Sequence, residues 1–201
     1  MTRRGLRRAP SYGRLAALLA ALGLAAAAVA ACGGGGGGGG GGGPTPPPPP
    51  PQPQPAINFT GDSVAAPAVR LVRGAGSSAT VLELEVRADQ LPAVYALAFD
   101  LTYPSAALSF DAFAEGGFLD GNGVETSLQV AEPNPGRLVI GHSRLGEVGV
   151  IAGSGLLMTL RFDAAGAGTG EIAFERNQLF DQRGVEVRGA SWAGGTVEVI
   201  P

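Results

Sequence analysis

The sequence predicts an all-β domain over residues 56–201, built as a sandwich of about nine short strands. Apolar and polar residues alternate with a period of two in several segments, as in strands that bury one face. Gly, Pro, Asn or Asp residues bound each of these segments, and no segment shows a sustained helical period. Strands with one apolar face each must bury those faces against a second sheet, which predicts the sandwich.

Three segments show the alternation most clearly. Residues 80–88 place three aliphatic side chains on one face and charged side chains on the other, and residues 156–162 repeat the pattern. Residues 94–103 form the strongest case. Their predicted inward side chains are those of Tyr95, Leu97, Phe99, Leu101 and Tyr103, and their outward ones are those of Val94, Ala96, Ala98, Asp100 and Thr102. Shorter strands are predicted at 69–72, 108–113, 127–131, 138–141, 171–174 and 196–200.

Residues 1–31 are predicted to be a signal peptide. A basic start precedes an apolar, alanine-rich run over residues 15–31, which falls short of the about 20 residues that a transmembrane helix needs. The last four residues of this region, Val29-Ala30-Ala31-Cys32, resemble the lipobox of bacterial lipoproteins. That resemblance implies lipidation of the Cys32 sulfur and a mature chain that begins at Cys32. The alternative is an ordinary secretory signal cleaved at Ala28-Val29-Ala30.

Residues 32–55 are predicted to be a disordered tether. Residues 33–43 are all glycine and residues 44–55 are mostly proline, so neither stretch can bury apolar surface. The glycine coil reaches roughly 18 Å, and polyproline adds about 3.1 Å per residue as a stiffer spacer. Such a tether would hold the domain several nanometres from a lipid surface, which suits a partner that is large or surface-bound.

Charge and cysteine content exclude several classes of function. After Cys32 the chain has nine arginines, no lysine and seventeen acidic residues, a net charge of −8. This balance disfavours nucleic acid and anionic lipid as partners. Cys32 is the only cysteine, so no disulfide can form within the chain and the core alone must hold the domain.

The sequence predicts no catalytic residue, no metal site and no cofactor. His142 is the only histidine, and we expect it to end a strand and face solvent or a partner. The segment from Asp120 to Glu125 resembles the start of an EF-hand loop but lacks its glycine and distal glutamate. Trp192 is the only tryptophan, and we expect a packing role near the last strand or a lone partner contact.

Four segments, in their order and spacing, resemble cohesin domains. Residues 97–110 (LAFDLTYPSAALSF) resemble an alternating aromatic strand that ends in Tyr, followed by a proline-containing turn and Leu-x-Phe. Residues 135–140 (PGRLVI) resemble a strand with glycine, a basic residue and then apolar residues. Residues 153–162 (GSGLLMTLRF) resemble a core strand led by small residues, and residues 194–199 (GGTVEV) resemble the last strand. The match spans residues 69–200.

This resemblance implies a jelly roll of nine strands and a non-catalytic function in binding dockerins, which are calcium-loaded modules of other secreted proteins. It places the partner-binding face on the outward side of the strand 94–103, at Ala96, Ala98, Asp100 and Thr102. Cohesins often carry more polar residues there, and Pro104 replaces their usual acid or asparagine, so the partner need not be a cellulosomal dockerin.

Two alternatives remain open at this stage. A carbohydrate-binding module has a similar fold and would act in binding or breakdown of polysaccharide. A structural domain of an envelope assembly would bind neither a dockerin nor a glycan. In each case the expected location is the bacterial cell envelope, at the outer membrane or cell surface, because the residue after Cys32 is not the aspartate that would indicate inner-membrane retention.

Overall fold

The computed structural model describes residues 56–121 and 123–200 and shows two packed β-sheets. The described residues form eleven strands and no helix, so none of them forms a helix long and apolar enough to span a bilayer. The strands are β1 Ala56–Gly61, β2 Ala68–Arg73, β3 Val81–Val94, β4 Ala96–Thr102, β5 Leu108–Glu115, β6 Thr126–Asn134, β7 Arg137–Arg144, β8 Ile151–Ala164, β9 Gly168–Phe180, β10 Ser191–Ala193 and β11 Gly195–Ile200.

One sheet has six strands in the order β1-β11-β9-β4-β7-β6, and the other has five in the order β10-β2-β3-β8-β5. All neighbours are antiparallel except β10 and β2, which are parallel. The predicted all-β sandwich is therefore confirmed. The two additional strands are β1, which follows the proline-rich segment, and β10, whose three residues are too few for a periodic signal.

The core lies between the sheets and is closed by aromatic pairs that cross from one sheet to the other. The ring of Phe99 on β4 lies 5.5 Å from Trp192 on β10, and the ring of Tyr103 lies 5.0 Å from Phe162 on β8. Phe174 on β9 completes the first group, 5.1 Å from Phe99 and 5.2 Å from Trp192. These contacts confirm Trp192 as a packing residue.

The predicted strand 94–103 is interrupted at Tyr95, which corrects two residue assignments. Leu97, Phe99, Leu101 and Tyr103 are buried as predicted. Val94, expected to face outward, is fully buried because it ends β3, where bulges have shifted the register against β8. Tyr95, expected in the core, is half-buried at the turn between β3 and β4, and its hydroxyl donates to the Gly146 carbonyl at 2.7 Å.

His142 is also placed differently from the prediction, because it lies inside β7 and is 1% exposed. It shares the inward face of β7 with Leu138 and Ile140, opposite Leu97 on β4. Its Nε2 lies 2.8 Å from Glu115 Oε1, at the end of β5 in the other sheet. The Thr126 hydroxyl donates to the same carboxylate oxygen, so Glu115 joins the two sheets at this edge.

Burial lowers the pKa of His142 below its ordinary value, against the raising effect of the Glu115 carboxylate. The pKa of Glu115 is also lowered, chiefly by the hydrogen bond from Thr126 and further by His142. At neutral pH His142 is therefore uncharged, and its Nε2–H donates to the ionised Glu115.

We expect the free energy of unfolding to fall as pH drops below about 6.5, the pKa of an unfolded histidine. There the unfolded chain takes up a proton that folded His142 does not, which costs up to about 1.4 kcal/mol per pH unit. Glu115, whose pKa is lowered, adds its own loss only as the pH falls through about 4.3. Urea unfolding at pH 7, 6 and 5 measures the histidine effect alone.

The matched control is His142→Gln, which retains a side chain able to donate to Glu115 but does not titrate. Because His142 is the only histidine of the chain, this variant should flatten the dependence between pH 6.5 and 5. Equal slopes for the two proteins would show that burial of His142 does not set the acid sensitivity.

Candidate functional site

The outward face of the six-stranded sheet forms a surface of small side chains, here called the platform. The register of β4, β7 and β6 brings outward residues of the three strands side by side, so that Ala98, for example, stands opposite Gly141 and Gly141 opposite Gln129. The platform residues are Ala96, Ala98, Ser127, Gln129, Ala131, Val139, Gly141 and Ser143.

The platform is flat because most of its outward positions hold small side chains, while the large side chains of β7 point into the core. Leu138, Ile140 and His142 point inward from β7, which leaves Val139, Gly141 and Ser143 outside. A Cβ added at Gly141 would meet no atom within 4 Å, so the space above this residue is open. Val139 is 39% exposed and is the one large apolar side chain of the platform.

Three of the four predicted partner-binding residues, Ala96, Ala98 and Thr102, lie on the outward face of the six-stranded sheet and are half-buried. Ala96 and Ala98 belong to the platform, and Thr102 lies beyond it on β4. Asp100 is not the exposed polar contact that the sequence led us to expect, since its side chain is only 7% exposed. Arg137 holds Asp100 Oδ2 through Nη2 at 2.6 Å and Nε at 3.1 Å. Arg176 Nη1 lies 3.5 Å from the same oxygen. This Asp100 cluster borders the platform with a carboxylate already engaged by two cations.

Arg176 reaches Asp100 from a β-bulge in β9. Ala98 is opposite Gln178 and Asp100 is opposite Glu175, so two residues of β9 face the single residue Phe99. Arg176 has a φ of 48°, in the left-handed region that costs a non-glycine residue roughly 1–2 kcal/mol. A bulge changes the direction of the side chains it carries, and here it points Arg176 toward Asp100, with which it forms an ion pair.

Sequence reasoning missed both arginines of this cluster. Arg137 is the first residue of β7, directly after the turn at Pro135-Gly136, and it stands opposite Thr102 of β4. Its basic character was visible in the motif, but its partner Asp100 was not. The sequence did not indicate a role for Arg176. The strand was predicted only over residues 171–174, so the bulge that positions Arg176 lies beyond the predicted segment.

The outward face of the five-stranded sheet has a different character. It carries ion pairs between Arg87 and Glu85 at 2.6 Å and between Arg161 and Asp111 at 2.9 Å. Arg70 and Asp89 form a looser pair at 3.9 Å. Charged side chains that are partly exposed and paired with one another are typical of a solvated surface, and removing them from water would be costly.

The described residues hold no group of three or more His, Cys, Asp or Glu side chains that could bind a metal ion. Asp120 and Glu125 of the segment that resembles the start of an EF-hand loop are described, whereas Asn122 between them is not. Cys32, the predicted signal peptide and the predicted tether lie outside residues 56–121 and 123–200.

Replacing Asp100 by Ala should lower the free energy of unfolding by about 1.5–3 kcal/mol, the usual value of hydrogen bonds to charged groups. The loss arises because Arg137, itself only 33% exposed, would be left without its carboxylate. The matched control is Asp111→Ala, which breaks a pair whose two side chains are 45% and 47% exposed and should cost less than about 1 kcal/mol. Equal losses in urea unfolding would contradict a structural role for the Asp100 cluster.

Comparisons with known proteins give the fold but no sequence relative. No protein-family model matches the chain, and no curated protein sequence matches it. Among solved structures, the second type II cohesin module of the cellulosomal adaptor ScaA scaffoldin of Acetivibrio cellulolyticus is similar with a TM-score of 0.52 and 14% identity. The match covers 74% of this chain and 98% of that module.

A second similar structure is the third cohesin of ScaC from the same organism, solved in complex with the ScaB dockerin. Its TM-score is 0.52 at 14% identity, over 61% of this chain and 90% of that one. At such identities the likeness concerns the fold. The described part of the chain, residues 56–121 and 123–200, has the fold of cohesin modules.

Proposed function

We propose that this domain is a non-catalytic docking module that binds a dockerin-type protein through the platform. The observation that carries the proposal is the platform itself, a flat area of Ala, Gly and Ser with Val139 exposed within it. Small side chains let a partner approach the sheet closely, and an exposed apolar residue amid them offers a contact that can be fully buried. A structural neighbour of the same fold was solved with a dockerin bound.

The contrast between the two outer faces favours the platform over the five-stranded sheet. Docking buries the surface on both partners, and burial of the ion pairs around Arg87 and Arg161 would carry a desolvation penalty. On the platform the charged Asp100 cluster lies at the border, and the central positions are uncharged. Desolvating the platform is therefore the less costly choice.

Aromatic side chains favour a protein partner over a polysaccharide. Glycan-binding faces use several exposed rings that stack on sugar rings. Phe180, opposite Ala96, is half-buried beside the platform, and Phe113, 45% exposed, lies on β5 of the other sheet. Among the described residues these rings do not form a row on one face.

The proposal includes attachment of the protein to the cell envelope through a lipid on Cys32. It rests on the lipobox-like residues 29–32 and on the composition of the tether. The first described residue, Ala56, starts the edge strand β1, at the opposite side of the six-stranded sheet from β6 and β7. Attachment at that side is compatible with a platform that stays free for a partner.

Docking should be lost when the platform is no longer flat. Gly141→Arg places a long charged side chain above the open space at Gly141, without a clash in the domain, and should weaken binding by at least about tenfold. The full chain, purified from the envelope, is used as bait for secreted and envelope proteins, with and without calcium chelation. The affinity of the captured protein for the wild-type chain and for each variant is then measured by calorimetry.

The matched control is Thr159→Arg, the same new side chain on the outward face of the five-stranded sheet. It should leave the affinity unchanged. If Gly141→Arg still bound the partner protein and Thr159→Arg did not, the docking site would lie on the five-stranded sheet instead. Recovery of insoluble polysaccharide and no protein would overturn the docking proposal.

If Cys32 is lipidated, the amino terminus of the mature protein should be Cys32. Mass spectrometry of the protein from membranes should find Cys32 as the first residue, with acyl chains attached, and Cys32→Ser should release the protein from the membrane fraction. An unmodified terminus near Gly33 or Ala31 would instead identify an ordinary secretory signal.

A further inference from the structure

One strand of the six-stranded sheet has an edge that is paired over only part of its length. β9 pairs with β11 from Gly168 to Ile172, and with β4 on its other side from Ala173 to Phe180. Beyond Ile172 no described strand pairs with the β11 side of β9, until the Leu179 carbonyl accepts a hydrogen bond from Val187 N at 2.7 Å. The open edge over residues 173–178 is called the β9 gap.

The gap exists because the chain changes sheets at Gly194. Gly195 pairs with Ile172 in the six-stranded sheet, whereas Ala193 pairs with Arg70 in the five-stranded sheet. A Cβ at Gly194 would lie 2.1 Å from the Ile172 carbonyl oxygen, so only glycine allows this close crossing. The strand that would continue β11 along β9 is thus diverted into the other sheet.

Open space flanks the gap at both of its ends. A cavity of about 230 Å³ lies at the Ile172 end and is lined by Asp62, Glu171 and Thr196, among others. A second cavity of about 170 Å³ lies at the Gln178 end, beside Glu186 and Arg188. Trp192 lines both cavities, so this residue lies behind the gap between its two ends.

We propose that an extended peptide from a partner protein adds to the β9 gap as a short strand antiparallel to β9, in line with β11. An unpaired strand edge presents backbone donors and acceptors that another extended chain can satisfy. Five or six residues would complete the six-stranded sheet between Gly195 and the contact of Val187 with Leu179. This site is separate from the platform and does not depend on the docking function proposed for it.

Charge and side-chain direction define the chemistry of the peptide. Phe174 faces inward, because it is opposite Leu101, which is fully buried, so the peptide residue beside it should be apolar and should meet Phe174 and Trp192. Ala173 and Glu175 flank Phe174 on the outward side, where exposed Glu171 and Glu175 form no ion pair with any described residue. The peptide therefore takes the form basic–apolar–basic.

The probe is the synthetic peptide Thr-Lys-Val-Lys-Thr, added to the ¹⁵N-labelled full chain while amide resonances are recorded. We expect saturable shifts at the amides of residues 173–178 and at the Trp192 indole. Glu171→Gln combined with Glu175→Gln should weaken binding by about threefold to tenfold, since two outward ion pairs are lost. Gly141→Arg, on the platform, should not change it.

Two control peptides test the strand geometry and the charge. Thr-Lys-Pro-Lys-Thr lacks the central N–H and should not bind, because proline cannot donate in a ladder. Thr-Glu-Val-Glu-Thr should not bind, because its acids would face Glu171 and Glu175. Binding of the proline peptide as tight as that of the valine peptide would overturn the proposal, as would shifts confined to the platform amides around Ala98 and Gly141.

Fusing the valine peptide to the chain raises its local concentration, so that weak affinity cannot account for an absence of binding. In the proposed pairing the amino terminus of the peptide lies at the Gln178 end of the gap, so a linker from Pro201 must span both β11 and the peptide. About forty Gly and Ser residues span roughly 35 Å, close to this combined length, and give an effective concentration in the millimolar range. Protection of the amides of residues 173–178 from hydrogen exchange in this fusion, and not in its proline counterpart, would support the proposal. No protection in either fusion, or a response of the same resonances to cellohexaose and to none of the peptides, would overturn it.

Discussion

The structure depends on the burial of one face of each sheet against the other. Cys32 is the only cysteine and precedes the domain, so no disulfide within the chain shares this task. The apolar layer is continuous across the sheets, as the pairs Phe99–Trp192 and Tyr103–Phe162 show. The large side chains of β4 and β7 point into this layer, and small residues occupy most outward positions of the same strands. The flat platform depends on those small residues, because β3 and β8 also bury large side chains and still carry charged residues outside.

The alternation of residues predicts this layer well, since a strand with one buried face must repeat with period two. It placed Leu84, Phe99 and Leu101 correctly, and it found nine of the eleven strands. It failed where the period itself is broken. The turn at Tyr95 reverses the phase between β3 and β4, and this is why Val94 is buried and Tyr95 is not. His142 was misjudged because a polar residue on an inward position needs a partner from the other sheet, here Glu115.

The candidate site was predicted in part for the same physical reason. Ala96, Ala98 and Thr102 follow from the alternation of one strand, and the structure places all three on the outward side. The environment of Asp100 depends on Arg137 and Arg176, which are 37 and 76 residues away in the chain. Such contacts are set by strand order and by the bulge in β9, and neither is encoded in the local pattern around Asp100. A bulge that holds Arg176 in the left-handed region persists because the surrounding sheet and the bond to Asp100 fix it.

β9 connects the two proposed binding sites physically. Its Gln178 stands opposite Ala98 of the platform, its bulge supplies Arg176 to the Asp100 cluster, and its open edge forms the β9 gap. A strand added at that edge would give β9 hydrogen-bonded neighbours on both sides over residues 173–178. The two proposed sites therefore share one strand but use different parts of it. The platform borders on outward side chains of β9, whereas the gap offers the backbone groups of its free edge, and the bulge that separates them is already fixed by Asp100.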